Sequence, residues 1–206
     1  PNLVNFIQSL GHQTHTAQLG TLLIGDLGQA RGGPMASGHR SHQTGLDADI
    51  WFLLSEQANQ RVLSSLEREN WSAPSIVDVA AEVVDARQWT RAHAQVLEIA
   101  ARHPEVDRIF VHPSIKQALC QAKTPGSSEW LRKIRPWWKH DDHFHARLRC
   151  PANDMACDRQ DPLPAGDGCD ASLSWWFSAE AKLPSKSKPV PPPPLPAMCE
   201  AVLRER

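Results

Sequence analysis

Two short segments alternate apolar and polar residues, and they predict the strands on which the fold is built. The apolar positions are Leu46, Ala48, Ile50 and Phe52 in the first segment, and Phe144, Ala146 and Leu148 in the second. The intervening positions are Asp47, Asp49 and Trp51 in the first, and His143, His145 and Arg147 in the second. Successive side chains of a strand point to opposite faces of a sheet. Each segment therefore has one face for a core, and we expect the two polar faces to form one surface.

The rest of the chain predicts helices around this sheet. Apolar residues at helical spacing predict helices at 3–10, 55–66, 89–103 and 113–120, and apolar runs predict strands at 21–26 and 108–112. The first helix should end at Gly11, and the second, capped by Ser55, should pack on the sheet. Segment 76–84 fits either a strand or a helix. We therefore predict an α+β fold with a central antiparallel sheet, flanking helices and loops tied by disulfides.

Near the C-terminus the composition changes. Segment 186–196, KSKPVPPPPLP, is rich in proline and predicts a stiff, extended polyproline tether. We therefore predict one catalytic domain, 1–185, followed by a Pro-rich tail, 186–206, that is packed on the domain or tethered to it.

Length and charge exclude several classes of protein. A chain of 206 residues is long enough for one domain with a buried core. A net charge of -1 offers no basic surface for nucleic acid or an anionic membrane, and no stretch approaches the roughly 20 apolar residues of a transmembrane helix. We expect neither nucleic-acid binding nor membrane insertion. The chain opens Pro1-Asn2-Leu3-Val4, so we expect a mature or N-terminally shortened form.

Histidines are concentrated in and beside the two alternating segments. Five of the 10 histidines lie there: His39, His42, His140, His143 and His145. Imidazole and carboxylate are ligands that suit Zn²⁺, and a catalytic zinc usually takes three protein ligands and leaves a fourth position for water. We predict that His42, Asp49 and His145 are the zinc ligands.

Metal-assisted hydrolysis also requires a group that moves a proton. The HExxH motif, whose glutamate serves as the base in many zinc proteases, does not occur in the sequence. We predict that His143 is the base or orients water, with Asp142 as a rival base. His140 and His39 are predicted to support His143 or to bind substrate, and Asp47 is predicted to hold a ligand imidazole.

The spacing of these residues resembles a known zinc signature. HxxxxxxD from His42 to Asp49, followed by HxH from His143 to His145, is similar to the superfamily of lysostaphin-type endopeptidases, D-alanyl-D-alanine metallopeptidases and hedgehog domains. The stretches SGHRSHQTGLDADIW and WWKHDDHFHARLRCP, with RGGPM at 31–35, resemble more closely the penicillin-insensitive murein endopeptidases of bacterial periplasms. This resemblance extends over nearly the whole chain.

The resemblance implies a substrate, a compartment and a pairing of the cysteines. Members of this family cut the D-alanyl to meso-diaminopimelyl amide that cross-links the stem peptides of peptidoglycan, in the periplasm. The family pattern pairs Cys150 with Cys157 and Cys120 with Cys169, and it leaves Cys199 without its partner, which lies in a preceding segment. Close cysteines in a polar loop fit an oxidising compartment. The alternative is that all five cysteines are reduced and structural.

Two other functions fit the same residues. A carboxypeptidase or dipeptidase of the same fold would remove a terminal D-alanine, and it would need a basic clamp for the free carboxylate. Arg147, Arg40 and Arg31 are candidates for that clamp, and Arg147 is in any case expected near the site. The second alternative is a zinc module that binds cell-wall peptide or a protein partner without catalysis. The presence of His143 and His140 beside the ligands argues against such a module.

Overall fold

The chain folds into a mixture of helices and strands, which confirms the predicted α+β class. The structure is a computed structural model that describes residues 2–30, 32–33, 35, 39, 41–124, 126, 128–183 and 197–204. In chain order its elements are α1 (Asn2–Thr16), β1 (Leu23–Ile24), β2 (Asp47–Trp51), α2 (Glu56–Gln60), α3 (Ser65–Asn70), β3 (Val77–Asp78), β4 (Val83–Val84), α4 (Arg91–Arg102), β5 (Val106–Val111), α5 (Pro113–Gln121), β6 (Ile134–Pro136), β7 (His143–Leu148), α6 (Ala171–Trp175) and α7 (Ala197–Arg204). Short 3-10 turns span His42–Thr44 and Glu129–Lys133.

The main sheet has five strands in the order β1-β2-β7-β5-β6. β7 lies at its centre and pairs antiparallel with β2 and β5, and β1 is antiparallel to β2. β5 and β6 are parallel, so the sheet is mixed: its central strands are antiparallel, as predicted, and its β6 edge is parallel. Parallel neighbours need a crossover connection, and α5, which lies between β5 and β6 in the chain, provides it.

The register of β2 and β7 brings the two polar faces together. Asp47 lies opposite Arg147, Asp49 opposite His145, and Trp51 opposite His143. Residues directly opposite each other in an antiparallel pair share one face of the sheet. The apolar pairs on the other face, Ala48 with Ala146 and Ile50 with Phe144, are fully buried. The two segments therefore form one polar surface above one apolar core, as the alternation predicts.

The core lies between the apolar face of the sheet and the helices α1, α4 and α5. Buried helical residues include Phe6 and Leu10 of α1, Val96, Leu97 and Ala100 of α4, and Ile115 and Leu119 of α5. Burying one such large apolar side chain contributes about 1.5–3 kcal/mol. This burial holds the sheet with its polar face turned away from the helices.

Two helices differ from the sequence-based prediction. α1 runs past Gly11, because one glycine inside a helix costs only about 1 kcal/mol relative to alanine. The helix capped by Ser55 is split, because Ser64 forms a capping box that begins a second helix, α3. Val62 and Leu66 are 88% and 74% exposed, so this segment does not pack on the sheet as predicted.

The strand predictions at 21–26 and 76–84 have mixed outcomes. The first segment contains only the short strand β1, whose Ile24 is 36% exposed rather than buried. The second forms the hairpin β3–β4, which resolves the choice between strand and helix.

Two disulfides tie loops to the domain. Cys150 pairs with Cys157 after β7, and Cys120 of α5 pairs with Cys169, just before α6. These are the pairings that the family resemblance implies, and Cys199 is free. Segment 186–196 lies outside the described residues, so the division into 1–185 and 186–206 stays a prediction. In the described part of the chain, no helix has the length and apolar character needed to cross a membrane.

Candidate metal centre

The candidate metal centre begins with His42, in the 3-10 turn just before β2. The turn ends at Gly45, whose φ of 70° lies in the left-handed region that favours glycine. Gly28 passes so close to the turn that a Cβ at that position would lie 2.6 Å from His42 O. The two glycines therefore fix the backbone around His42, whose side chain is fully buried.

Asp49 is the residue on which the neighbouring imidazoles converge. Its Oδ1 lies 3.3 Å from His42 Nε2 and 3.1 Å from His145 Nδ1. His39 Nδ1 lies 3.3 Å from Asp49 Oδ2, and His143 Nε2 lies 3.7 Å from Asp49 Oδ1. Burial raises the pKa of Asp49, but the surrounding imidazoles outweigh burial and hold this pKa well below its usual range. Asp49 is therefore a carboxylate anion at neutral pH.

Several atoms at this centre are buried without a hydrogen-bond partner among the described residues. They include both ring nitrogens of His42 and Oδ1 of Asp49, whose close contacts are poorly aligned for hydrogen bonds. Leaving such an atom unpaired costs about 1–3 kcal/mol. His39, His42 and Asp49 each offer one ligand atom, and these atoms all lie within 4.8 Å of one another. A divalent cation could bind one such atom of each of the three residues, so the residues fit a metal ion.

His145, the third predicted ligand, lies beside the same carboxylate. Its Nδ1 faces Asp49, and its Nε2 donates a hydrogen bond of 2.6 Å to Asp47 Oδ1. Metal-binding imidazoles usually donate their second ring N–H to a carboxylate in this way. Burial lowers the pKa of His145, but the carboxylates of Asp47 and Asp49 outweigh burial and raise it to about 9. Asp47 thus holds the ring of His145 through Nε2, and its role behind a metal ligand stays a prediction.

Arg147 completes the support of Asp47. Its Nε donates to Asp47 Oδ1 at 2.9 Å and its Nη2 donates to Asp47 Oδ2 at 3.0 Å. Burial raises the pKa of Asp47, but the hydrogen bonds from His145 and Arg147 outweigh burial and lower it. Arg147 is therefore engaged inside the protein and does not point freely toward a substrate.

His143 and Asp142 form a hydrogen-bonded pair next to Asp49. His143 Nδ1 donates to Asp142 Oδ1 at 2.5 Å, which leaves Nε2 facing the centre. Burial lowers the pKa of His143, but the bond to Asp142 and nearby negative charge outweigh burial and raise it. The bond to His143 is in turn the main cause of a lowered pKa at Asp142. The pair has the arrangement of a proton-transfer group and the carboxylate that orients it.

His140 lies beside His143, and their ring centroids are 4.9 Å apart. Its Nδ1 is 2.8 Å from the carbonyl oxygen of Trp138, so Nδ1 carries the proton and Nε2 is an acceptor. Burial is the main cause that lowers the pKa of His140 to about 4, and the neighbouring imidazoles add to it. His140 is therefore neutral at physiological pH.

His39 is predicted to support His143 or to bind substrate, but it lies within the cluster of candidate metal ligands. It belongs to the group whose ligand atoms cluster, whereas sequence reasoning assigned the third ligand position to His145. Its φ of 41° is unusual for a residue with a side chain, and such backbone strain is often found at functional sites. The three-residue spacing between His39 and His42 is the sequence signal that could have suggested this grouping. Arg31 and Arg40, the other predicted clamp residues, lie outside the described residues.

Aromatic side chains border the centre on the β5 side. The ring of Phe110 is 5.5 Å from that of His145, and Trp137 is 5.8 Å from Phe110. Trp137 is 55% exposed, and Trp176 lies 6.1 Å beyond it. Trp137 is therefore not a core residue and borders the centre from its exposed side.

The chain is similar to known proteins over almost its entire length. Residues 1–204 match the family model described as penicillin-insensitive murein endopeptidase. The penicillin-insensitive murein endopeptidase of Haemophilus influenzae is 44% identical over 98% of this chain and 69% of its own length. The protein of the same name from Klebsiella pneumoniae is 44% identical over 100% of this chain and 73% of its own length. That from Yersinia pestis is 43% identical over 98% of this chain and 72% of its own length.

Proposed function

The chain belongs to the penicillin-insensitive murein endopeptidase family, and from this premise we propose that it is zinc-dependent and cuts the D-alanyl to meso-diaminopimelyl cross-link of peptidoglycan. Murein endopeptidase activity follows from membership of the family. The metal and the bond that is cut are the added parts of the proposal. The observation that supports the metal is the buried set of unpaired ligand atoms on His42 and Asp49. The bond that is cut is proposed from the family resemblance.

His42 and Asp49 would hold the zinc, with either His39 or His145 as the third ligand, and the fourth position would be left for water. When bound, zinc lowers the pKa of a water molecule and polarises the carbonyl of the scissile amide. Asp47 fixes the ring of His145 through Nε2, so that Nδ1 stays directed at the centre. Arg147 neutralises the charge of Asp47 and keeps that carboxylate in place.

The proton is moved by His143. Asp142 holds Nδ1–H of His143, and Nε2, which faces the centre, accepts the proton of the attacking water and delivers it to the leaving amine. Asp142 orients the imidazole through this bond, and we assign the role of base to His143. His140 stays neutral and offers Nε2 as an acceptor to the substrate.

Neither alternative function gains a supporting observation. A carboxypeptidase needs a free cation close to the scissile bond. Of the three clamp candidates only Arg147 lies among the described residues, and it is bound to Asp47 by two hydrogen bonds. A zinc module without catalysis has no use for an oriented proton-transfer pair, and His143 with Asp142 is such a pair.

The compartment is part of the same proposal. Disulfides persist in oxidising compartments such as the bacterial periplasm, and the two bridges Cys120–Cys169 and Cys150–Cys157 fit an enzyme that acts there.

A mass-spectrometric digest of purified cross-linked muropeptide dimers tests the proposal, with zinc-loaded protein and a chelator-treated control. We expect dimers to become monomers only in the zinc-loaded sample. Loss of a single terminal alanine would instead identify a carboxypeptidase. No product from protein that holds one zinc per chain would contradict the catalytic proposal and favour the binding module.

A further inference from the structure

The metal centre is one end of a row of side chains that crosses the sheet. Asp49 of β2 lies opposite His145 of β7, His145 lies opposite Phe110 of β5, and Phe110 is the register partner of Arg135 of β6. Partners in register point to the same face of a sheet. The row therefore runs from a carboxylate through an imidazole and a phenyl ring to a guanidinium, all on the face that carries the centre.

Arg135 differs from the other arginines of this face. Arg147 is bound to Asp47, and Arg108 forms an ion pair of 2.7 Å with Asp107. The guanidinium of Arg135 makes no hydrogen bond or ion pair with any of the described residues, although the residue is half-buried. Asp170, whose negative charge acts on Arg135, accepts a hydrogen bond from the backbone N–H of Ser172 at the start of α6.

The surroundings of Arg135 make an external anion favourable. Burial lowers the pKa of Arg135, and the positive charge of Arg108 lowers it further, but a guanidinium stays protonated at any physiological pH. Arg135 has no hydrogen-bonded acid among the described residues, and a planar guanidinium matches a carboxylate through two parallel hydrogen bonds. Arg135 is therefore able to bind a carboxylate from outside the chain.

The length of the row limits which carboxylate can reach Arg135. Three strand spacings of about 4.8 Å separate the backbones of Asp49 and Arg135 by roughly 14 Å. An extended peptide advances about 3.4 Å per residue, so this span corresponds to about four residues. Phe110 and the half-exposed Trp137 border the span and offer apolar contact to the aliphatic parts of a peptide.

We propose that Arg135 binds the free terminal carboxylate of a peptidoglycan stem peptide whose cross-link lies at the metal centre. This proposal rests on the proposed function and adds a determinant of specificity to it. Arg135 selects substrates whose carboxylate lies some residues beyond the cut bond, and it plays no part in removing a single terminal residue. Its effect is on substrate binding, and hence on KM.

Two cross-linked peptides that differ only in a terminal carboxylate or carboxamide test the proposal. With zinc-loaded protein, we expect the carboxamide to raise KM roughly tenfold or more, because a hydrogen-bonded pair with a charged group contributes about 1.5–3 kcal/mol. In Arg135→Gln the KM of the carboxylate substrate should rise to that of the carboxamide substrate, and kcat should stay unchanged. Arg135→Lys should restore part of the difference. Arg159→Gln, at an exposed loop arginine, is the matched control and should keep the full difference.

A binding measurement makes the test independent of cleavage. Titration calorimetry with the uncross-linked stem peptide, as carboxylate and as carboxamide, should show the same preference in the zinc-loaded wild type and its loss in Arg135→Gln. Equal binding of both peptides by the wild type, or a preference that survives in Arg135→Gln, would overturn the role of Arg135. Absence of cleavage together with an Arg135-dependent preference would refute the endopeptidase proposal and leave the carboxylate site standing.

Discussion

Two buried polar clusters of this protein differ in whether their polar atoms have hydrogen-bond partners. Lys116 of α5 is fully buried, and its Nζ donates to Leu131 O at 2.7 Å and to Asp167 O at 2.6 Å. At the candidate metal centre, by contrast, His42 and Asp49 bury polar atoms that have no hydrogen-bond partner among the described residues. A cluster whose polar atoms all have hydrogen-bond partners within the protein holds loops together. A cluster that leaves atoms unpaired is prepared for a ligand, and the sequence alone does not separate the two cases.

The largest expected effect comes from Asp49→Asn. The substitution removes the charge on which the imidazoles converge, so we expect loss of stoichiometric zinc together with loss of muropeptide hydrolysis. Zinc should raise the melting temperature of the wild type and leave that of the variant unchanged. Metal analysis after dialysis and thermal unfolding check both points. Asp158→Asn, at an exposed loop position, is the control, and one zinc per chain in Asp49→Asn would contradict the assignment of the centre.

His143→Ala should separate chemistry from metal binding. We expect hydrolysis to fall roughly 10²–10⁴-fold, the usual contribution of a general base, while zinc stays near one per chain. His12→Ala, at an exposed position of α1, serves as the control. Unchanged hydrolysis would remove the assignment of the base.

Asp142→Asn refines the same assignment. If Asp142 only orients His143, its loss should reduce hydrolysis less than His143→Ala does. An equal or larger reduction would make Asp142 the base. The comparison uses initial rates of dimer cleavage at one substrate concentration below KM.

Gly28→Ala should disturb the centre from a distance. The new Cβ would lie 2.6 Å from His42 O, so the turn that carries His42 has to shift. We expect zinc affinity to fall roughly tenfold, as for other changes in the support of metal ligands. Gly11→Ala is the control because nothing lies within 4 Å of its added Cβ in α1. It should keep zinc affinity and gain up to about 1 kcal/mol of stability. Competition with a chromophoric chelator measures the affinities.

The smallest effect on activity is expected at Lys116, whose contribution to stability should depend on pH but not on zinc. Burial, with repulsion from Arg135, lowers the pKa of Lys116 to about 7 in the folded protein. The unfolded chain, with the ordinary lysine pKa near 10.4, binds more protons than the folded chain between these values. The stability of the wild type relative to Lys116→Met should therefore rise from pH 7 to pH 10, by at most about 1.4 kcal/mol per pH unit.

At pH 9 we expect Lys116→Met to be less stable than the wild type by about 1–3 kcal/mol, because two carbonyl oxygens lose their donor. Urea unfolding at several pH values, with and without chelator, provides the measurement. A stability difference that did not change between pH 7 and pH 10 would contradict the lowered pKa. Zinc stoichiometry should be the same in both proteins.

The alternation of apolar and polar residues carries enough information to predict the centre of this fold. It predicts that β2 and β7 present Asp49 and His145 on one face, because the period of a strand is fixed at two residues. It does not predict which strand joins the edge, since the parallel pairing of β6 depends on the crossover through α5. Local chemistry of Ser64, which starts a new helix, also overrides the longer apolar pattern around it.

At the site, the features that could not be predicted from the sequence depend on which residues become neighbours when the chain folds. Nothing in the sequence around Arg147 and Arg135 distinguishes an arginine that is bound to a carboxylate from one that is not. The difference appears only when the strands align and Asp47 comes to lie opposite Arg147. For the same reason the sequence names His39 as a neighbour of the centre but does not place its nitrogen 3.3 Å from Asp49 Oδ2.

The strict pairing of β2 with β7 also constrains how this sequence can evolve. An insertion or deletion of one residue inside β2 would turn Asp49 into the core and Ile50 toward the histidines, because every side chain beyond it changes face. A single substitution on the polar face changes one side chain of the candidate metal centre. A change in the length of β2 would disrupt this centre and the core together. Length variation among descendants of this chain should therefore accumulate in the polar loop 151–168 and around 61–64, and not between 47 and 51.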